Sequence, residues 1–228
     1  LSKERIRNFL EAIPKEFKYW DIALNDGHKK SLQLDDYKVI SKDNYLLYLD
    51  KPHEDLYKAY STNIKRNIKK AQQQNLYIST NLKPETFVAE VKVAQLLKGV
   101  QHPEALYHAA HRIIYNCLHR SKGVILAAYN PEHHLCAAIF FMFDNAAMIN
   151  LLNVSTETGK DIGAMAYLLD NMIQREAGKP KYIDFEGSSV PGIARFYQSF
   201  GAEVIPYSKV SYNHLPNWIN TLWKVKKK

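Results

Sequence analysis

Three apolar, β-rich runs in the middle of the chain constrain the fold more than any other feature. Residues 124–129, 135–143 and 146–154 consist almost wholly of apolar side chains, and short polar segments around Pro131 and Asn145 separate them. Such segments are typical of hairpin links, so the runs predict an antiparallel three-strand meander. Because apolar residues fill the runs almost continuously, we expect helices to cover both faces of the sheet.

Patterns on either side of the meander predict an α/β fold with a mixed sheet. Two helices over 84–98 and 103–119 each open with a proline in the first turn. The second is expected to bury Leu106, Ala110, Ile113 and Cys117. The later patterns predict, in order, a helix over 161–176, a strand over 182–185, a helix over 191–200 and a closing strand region over 204–212. Strands that alternate with helices after a meander indicate parallel members in the sheet.

The first fifty residues resemble an incomplete domain. They predict a helix over 5–13 and three strands over 19–24, 37–40 and 45–49, with a turn at Lys42-Asp43-Asn44 between the last two strands. These elements are too few to close a core alone. After Pro52 the pattern becomes helical, with Ile64, Ile68 and Ala71 on one face.

The charge of the chain is compatible with a phosphate-bearing ligand. Its 31 Lys and Arg against 23 Asp and Glu give a formal net charge of +8, which favours ligands such as CoA or tRNA but also suits an ordinary solvated surface. No apolar run approaches the roughly 20 residues of a membrane-spanning helix. Cys117 and Cys136 lie in apolar surroundings, which predicts free thiols and a cytoplasmic protein.

Two segments carry resemblances to known families. The order of elements from 84 onward and the segment 194–202, ARFYQSFGA, resemble the GNAT acyltransferases, although Ala202 stands where that family usually has Phe. Segments 60–71 and 184–188 are similar to the Fem-type peptidyltransferases, which join two GNAT-like domains. The resemblance implies that residues 1–51 are the end of a first GNAT-like domain, that 52–228 form a GNAT acyltransferase domain, and that an N-terminal portion is missing.

The same resemblance implies a site for acetyl-CoA or another acyl-CoA. The donor is expected in a cleft where the strands ending at Val154 and starting at Tyr182 separate. Backbone N–H groups at the N-terminus of the next helix are an anion site. The residues that resemble the pyrophosphate loop and its strand, imperfectly, are Leu152, Val154, Gly159, Lys160, Gly163 and Ala164. A plain connection from strand to helix is the alternative interpretation.

Two residues are candidates for proton transfer. Tyr197 falls where many GNAT enzymes place a tyrosine that protonates the leaving thiolate, and the alternative is an aromatic core residue beside Phe196 and Phe200. Glu186 ends a short strand and is the candidate base for the amine, and Asp184 is the alternative candidate. Its alternative role is to cap the following turn with Ser188 and Ser189.

Four basic residues of one predicted helix, Lys65, Arg66, Lys69 and Lys70, are candidates to bind substrate phosphates or to be solvated charges. His108 and His111 lack partners at a metal-binding spacing, so we expect no metal. Three hypotheses follow: an N-acyltransferase that uses acyl-CoA and a small amine or peptide-like acceptor, a Fem-like transferase that uses aminoacyl-tRNA, and a noncatalytic binding module.

Overall fold

The structure is a computed structural model that describes residues 2–24, 34–187 and 190–219. Two compact units divide the chain, one formed by Leu1–Asn44 with Val204–Lys228 and the other by Tyr45–Glu203. Eight helices and eight strands lie within the described ranges: α1 (Lys3–Glu11), β1 (Tyr19–Leu24), β2 (Lys38–Tyr48), α2 (His53–Ala59), α3 (Thr62–Gln73), β3 (Tyr77–Ser79), α4 (Pro84–Leu97), α5 (Glu104–His119), β4 (Gly123–Tyr129), β5 (Leu135–Asp144), β6 (Ala147–Ser155), α6 (Glu157–Ile162), α7 (Ala164–Glu176), β7 (Tyr182–Asp184), α8 (Pro191–Gln198) and β8 (Glu203–Asn213).

The larger unit is built on a mixed sheet. Its strands follow the order β2-β7-β6-β5-β4-β3. The predicted meander is confirmed, because β4, β5 and β6 pair antiparallel in succession. Strand β7 pairs parallel with β6 and antiparallel with β2, which confirms the predicted mixture of directions.

Helices cover both faces of this sheet, as the continuous apolar runs predicted. Side chains of β4 alternate between two buried clusters, so Leu126 lies in one and Ile125 in the other. The first cluster includes Ile68 of α3 and Leu169 of α7, and the second includes Phe87 of α4 and Ile114 of α5. The space between α3, α7 and the sheet is where the candidate site lies.

The smaller unit has its own small core. Strands β1 and β8 pair antiparallel, from Tyr19 opposite Asn213 to Leu24 opposite Ser208. Helix α1 contributes Ile6 to a cluster that also contains Val210. The closing strand therefore groups with the N-terminal residues, and the descent of residues 1–51 from a preceding GNAT-like domain stays a prediction.

Three local predictions are wrong. The expected turn at Lys42-Asp43-Asn44 lies inside β2, which is one 11-residue strand. The helix expected over 161–176 is two helices, because Gly163 adopts a left-handed conformation between α6 and α7. The buried stripe of α5 is rotated: Tyr107 and Ile114 are buried, whereas Leu106 and Ile113 are exposed. The helical period alone does not decide which of two adjacent apolar positions faces the sheet.

Candidate functional site

Strands β6 and β7 separate after a short paired segment. Their pairing runs from Ala147 opposite Tyr182 to Ile149 opposite Asp184 and ends there. Strand β6 stays paired with β5 as far as Ser155. The N–H of Phe185 instead donates to the carbonyl of Tyr45, so the chain after β7 follows β2. The predicted opening between the two strands is present beyond their first three residues.

A β-bulge decides which side chains of β6 face the opening. Leu152 lies opposite Phe140 and Asn150 opposite Phe141, so Leu151 has no cross-strand partner. This extra residue shifts the alternation of side chains by one position. As a result Asn150 and Asn153 both line a cavity, although their spacing of three would place them on opposite faces of a regular strand.

The cavity has a volume of about 310 Å³, within the range of small-molecule sites. It lies entirely in the larger unit. Residues from α3, β6, α6, α7 and α8 line it: Asn67, Asn150, Asn153, Ser155, Gly159, Lys160, Gly163, Met165, Ala166, Leu169, Gly192, Ile193, Phe196 and Tyr197. Four sequence-predicted site residues therefore come together here, namely Tyr197, Gly159, Lys160 and Gly163.

Three other predicted binding residues lie beside the cavity without lining it. The side chains of Leu152 and Val154 pack into the cluster on the α4 and α5 face. Ala164 is fully buried in the opposite cluster. The bulge turns the side chains of Leu152 and Val154 away from the cavity. Only their backbone atoms could therefore contact a ligand there, and a binding role for either residue stays a prediction.

The loop after β6 is held tightly against β5. The carbonyl of Cys136 accepts from both the N–H and the hydroxyl of Thr156, at 3.0 and 3.2 Å. The Thr156 hydroxyl in turn accepts from the N–H of Gly159 and so caps α6. A Cβ on Gly159 would lie 1.8 Å from the Cys136 carbonyl oxygen, so only glycine fits at this close approach.

Helix α7 presents an uncapped N-terminus to the cavity. Its N-cap residue is Gly163, which supplies no side-chain cap, and its first turn contains no acidic residue. The N–H groups of the first turn have no partner within the helix, so they are available to an anion. Gly163 has φ +77°, and a Cβ there would lie 2.6 Å from the backbone oxygen of Asn67 in α3.

Tyr197 lines the same cavity. It is 6% exposed, and its ring stacks on Phe185 with the ring centroids 4.3 Å apart. Burial raises the pKa of its hydroxyl, and a hydrogen bond with the Asn153 side chain opposes this in part. The phenol therefore holds its proton at neutral pH, so it has a proton to donate. The surroundings of Tyr197 are compatible with both interpretations from the sequence, a general acid and an aromatic core residue. Its ring is buried, and the residue also lines the cavity.

Glu186 is not among the residues that line the cavity, and it is exposed. It has φ +61°, and its N–H donates to the Asp184 carboxylate at 2.8 Å, so Asp184 closes the turn. Partial burial of the carboxyl, and then the charge of Asp184, raise the pKa of Glu186 although the residue as a whole is exposed. Its role as the base stays a prediction. Ser188 and Ser189 lie outside the described residues.

The four basic residues of α3 lie outside the cavity lining, although Asn67 of the same helix is part of it. The Lys65 ammonium donates to the carbonyl of Lys58 at 3.0 Å. The Arg66 guanidinium donates to the side chain of Asn63 at 2.8 Å. Lys69 and Lys70 are exposed on the surface of α3. Lys160, which does line the cavity, forms an ion pair with Glu157.

The described residues lack two kinds of feature. They contain no group of three or more His, Cys, Asp or Glu that could hold a metal ion. His111 instead pairs with Glu85 at 3.2 Å. Within the same residues no helix has the length and apolar character needed to cross a membrane.

Two unpredicted residues of the lining, Asn150 and Asn153, have a recognisable signal in the sequence. Asn150 and Asn153 are the two polar residues of the apolar run 146–154. A polar side chain inside a buried strand needs a partner or a function. Asn67 and the α8 residues Gly192 and Ile193 gave no such sign, because only the packing of α3 and α8 brings them to the cavity.

The order of elements from β3 to β8, with parallel strands that open beyond Ile149, is that of the GNAT fold. No protein-family model matches the sequence, and no curated protein matches it. Solved structures do match. FemX superposes with a TM-score of 0.62 at 12% identity, and the match covers 99% of this chain and 71% of FemX.

Two further structures agree on the fold. A conserved protein of unknown function from Bacteroides thetaiotaomicron has a TM-score of 0.57 at 13% identity, over 91% of this chain and 66% of that one. The L-PGS of Bacillus licheniformis has a TM-score of 0.51 at 11% identity, over 84% and 66%. This chain therefore spans about two thirds of the length of these neighbours, and it shares their fold, which is the GNAT fold.

Proposed function

We propose that the larger unit transfers an acyl group from an acyl-CoA thioester to an amine. The observation that supports this most directly is the cavity itself, because its lining joins two features that acyl transfer needs. The lining includes residues at the uncapped N-terminus of α7, and it includes Tyr197 with its buried phenol. The first suits a phosphorylated carrier and the second suits a leaving thiolate.

The residues present fit such a carrier. The first-turn N–H groups of α7 are the candidates for the pyrophosphate of CoA, with the Lys160 ammonium nearby in the lining. Glycine at 159 and at 163 allows the loop to lie close to β5 and α3, since a Cβ at either position would overlap a backbone oxygen. The thioester supplies an electrophilic carbonyl carbon when the carrier is bound.

The chemistry assigned to the chain is proton transfer through Tyr197, which gives one proton and regains another. The amine nitrogen bonds to the thioester carbonyl carbon, and the carbon–sulfur bond breaks. Tyr197 gives its hydroxyl proton to the departing sulfur, and the phenolate regains a proton that the nitrogen releases. The products are an amide and a free thiol. The raised pKa of Tyr197 keeps the phenol protonated before the reaction, which is the state that the step requires.

Replacement of the Tyr197 hydroxyl tests this proposal. With acetyl-CoA and a panel of amines and peptides, we expect Tyr197→Phe to lower kcat by about 100-fold, as for the loss of a general acid. CoA binding should be unchanged, because the ring remains. Release of free thiol measures turnover, and calorimetry measures CoA binding.

Tyr107→Phe is the matched control. Tyr107 is buried in the cluster on the α4 and α5 face, its hydroxyl donates to the Gln95 side chain, and the residue does not line the cavity. A Tyr197→Phe enzyme with kcat within twofold of the parent would show that Tyr197 is not the acid. CoA binding without turnover by the parent protein on any amine would support a noncatalytic binding module instead.

A second candidate function is a Fem-like transfer from aminoacyl-tRNA. The match to FemX over nearly the whole chain favours it, together with the exposed Lys69 and Lys70 of α3. Single-turnover assays with charged tRNA and with acetyl-CoA distinguish the two donors. Under the tRNA proposal, the double variant Lys69→Ala, Lys70→Ala weakens tRNA binding and lowers its salt dependence. The double variant Lys83→Ala, Lys98→Ala, at the two residues that flank α4, is the control of equal charge.

A further inference from the structure

Asn150 is a buried polar side chain with no partner. It is 4% exposed, and within the described chain neither its Nδ2 nor its Oδ1 has a hydrogen-bond partner. Buried carboxamides are nearly always hydrogen-bonded, because an unpaired group loses its bonds to water and gains none. An orphaned donor and acceptor on one side chain therefore call for an explanation.

The other buried group without a partner is the hydroxyl of Tyr60, and its setting is different. Tyr60 is not part of the cavity lining, and its ring packs edge-on against Phe200. Burial, and then the neighbouring Asp170 carboxylate, raise the pKa of its hydroxyl, so a charged acceptor lies close by. Asn150, by contrast, lines the cavity.

The position of Asn150 in the sheet directs it toward a ligand. Asn150 is the first residue of β6 beyond the last pair with β7, and it immediately precedes the unpaired Leu151 of the bulge. The strands thus begin to separate at this residue. The cavity lining combines polar residues, none of which bonds the Asn150 carboxamide, with apolar ones such as Leu169 and Phe196.

We propose that Asn150 binds an amide group of the substrate and thereby selects for amide-bearing ligands. Its Nδ2 donates to an amide carbonyl and its Oδ1 accepts from an amide N–H, so both orphaned atoms are satisfied at once. A ligand with a carbonyl but no N–H leaves Oδ1 unpaired and is rejected. The inference rests on the proposed function in treating the cavity as the substrate site.

Two sources supply this chemistry, namely the pantetheine arm of the acyl carrier and a peptide-like acceptor. Free pantetheine and N-acetylglycinamide are probes for the two sources. Titration of each probe into protein labelled with ¹⁵N in asparagine side chains reports on Asn150 directly. We expect one of the probes to shift the Asn150 side-chain resonance, and the probe that does so identifies the source.

Asn150→Leu tests the assignment, because leucine has a similar size and no polar atoms. We expect its thermal midpoint to equal or exceed that of the parent, since two unpaired buried groups are removed. We also expect the dissociation constant of the probe that binds to rise at least tenfold. Asn116→Leu is the control, because the Asn116 side chain donates to the Arg112 carbonyl on α5, away from the cavity.

A lower thermal midpoint for Asn150→Leu would overturn the inference, because it would reveal a structural bond of the carboxamide. Unchanged probe binding by that variant, or no shift of the Asn150 resonance with either probe, would also overturn it. These outcomes differ from failure of the proposed function. If a probe binds through Asn150 but the protein transfers no acyl group, only the inference is upheld. If the protein transfers an acyl group and Asn150→Leu does not change this, only the proposed function is upheld.

Discussion

Gly163→Ala is the substitution whose effect the structure specifies most closely. Gly163 joins α6 to α7 in a left-handed conformation, with φ +77°. An added Cβ would lie 2.6 Å from the backbone oxygen of Asn67 and 2.9 Å from its Cβ. Since backbone atoms of α3 cannot move aside as the end of a flexible side chain can, the whole junction between α3 and α7 must shift.

Two costs add at this position. The left-handed conformation costs an alanine about 1–2 kcal/mol relative to glycine. To restore ordinary contact, the Cβ and the Asn67 oxygen must separate from 2.6 Å to at least 3.4 Å. Displacements of this kind in a packed region cost about 1–3 kcal/mol. We therefore expect Gly163→Ala to lower the free energy of unfolding by about 2–5 kcal/mol.

Gly178→Ala separates the two costs. Gly178 has φ +78°, but a Cβ there would meet no atom within 4 Å. Both glycines lie in the larger unit, so urea unfolding followed by circular dichroism reports on both. We expect Gly178→Ala to lose only the conformational part, about 1–2 kcal/mol. Equal losses in the two variants would refute the close approach of α3 to the start of α7 and, with it, the geometry on which the proposed anion site depends.

Two further predictions concern ionic contacts of the larger unit. Burial opposes ionisation of Glu176, but hydrogen bonds from Lys181 and Lys179 outweigh this effect. They hold the pKa of Glu176 below its ordinary 4.5. Because the folded pKa is lowered, this stabilisation is present above pH 4.5 and is lost as the pH falls through the folded value. Glu176→Gln should therefore destabilise the protein at pH 7 and match the parent in urea unfolding once the pH lies below that value, and a constant difference would contradict the ion pairs. Asp170→Ala should cost about 1–3 kcal/mol in the same assay, because buried Asp170 pairs with His53 at 2.9 Å. Asp55→Ala, which breaks an exposed pair, should change little, and equal effects of the two would contradict the buried contact.

The candidate site was predictable in part. The glycines at 159 and 163 and the aromatic Tyr197 lie in segments with recognisable local patterns, and the structure brings them to one cavity. Leu152 and Val154 were expected beside them, whereas Asn150 and Asn153 take that place. The difference arises from one extra residue in β6, and a bulge is a property of the pairing with β5 that no pattern within β6 reveals.

The sequence by itself determined the meander, the alternation of helices and strands that follows it, and the coverage of its sheet on both faces. Those features follow from local periodicity and from the length of apolar runs, which each segment carries alone. Only the tertiary structure decided where β6 and β7 separate. It also decided that the Cys136 carbonyl of β5 holds the loop after β6, and that Asn150 is buried without a hydrogen-bond partner among the described residues. These depend on contacts between residues far apart in the chain, because the cavity is assembled from helices and a strand that only packing brings together.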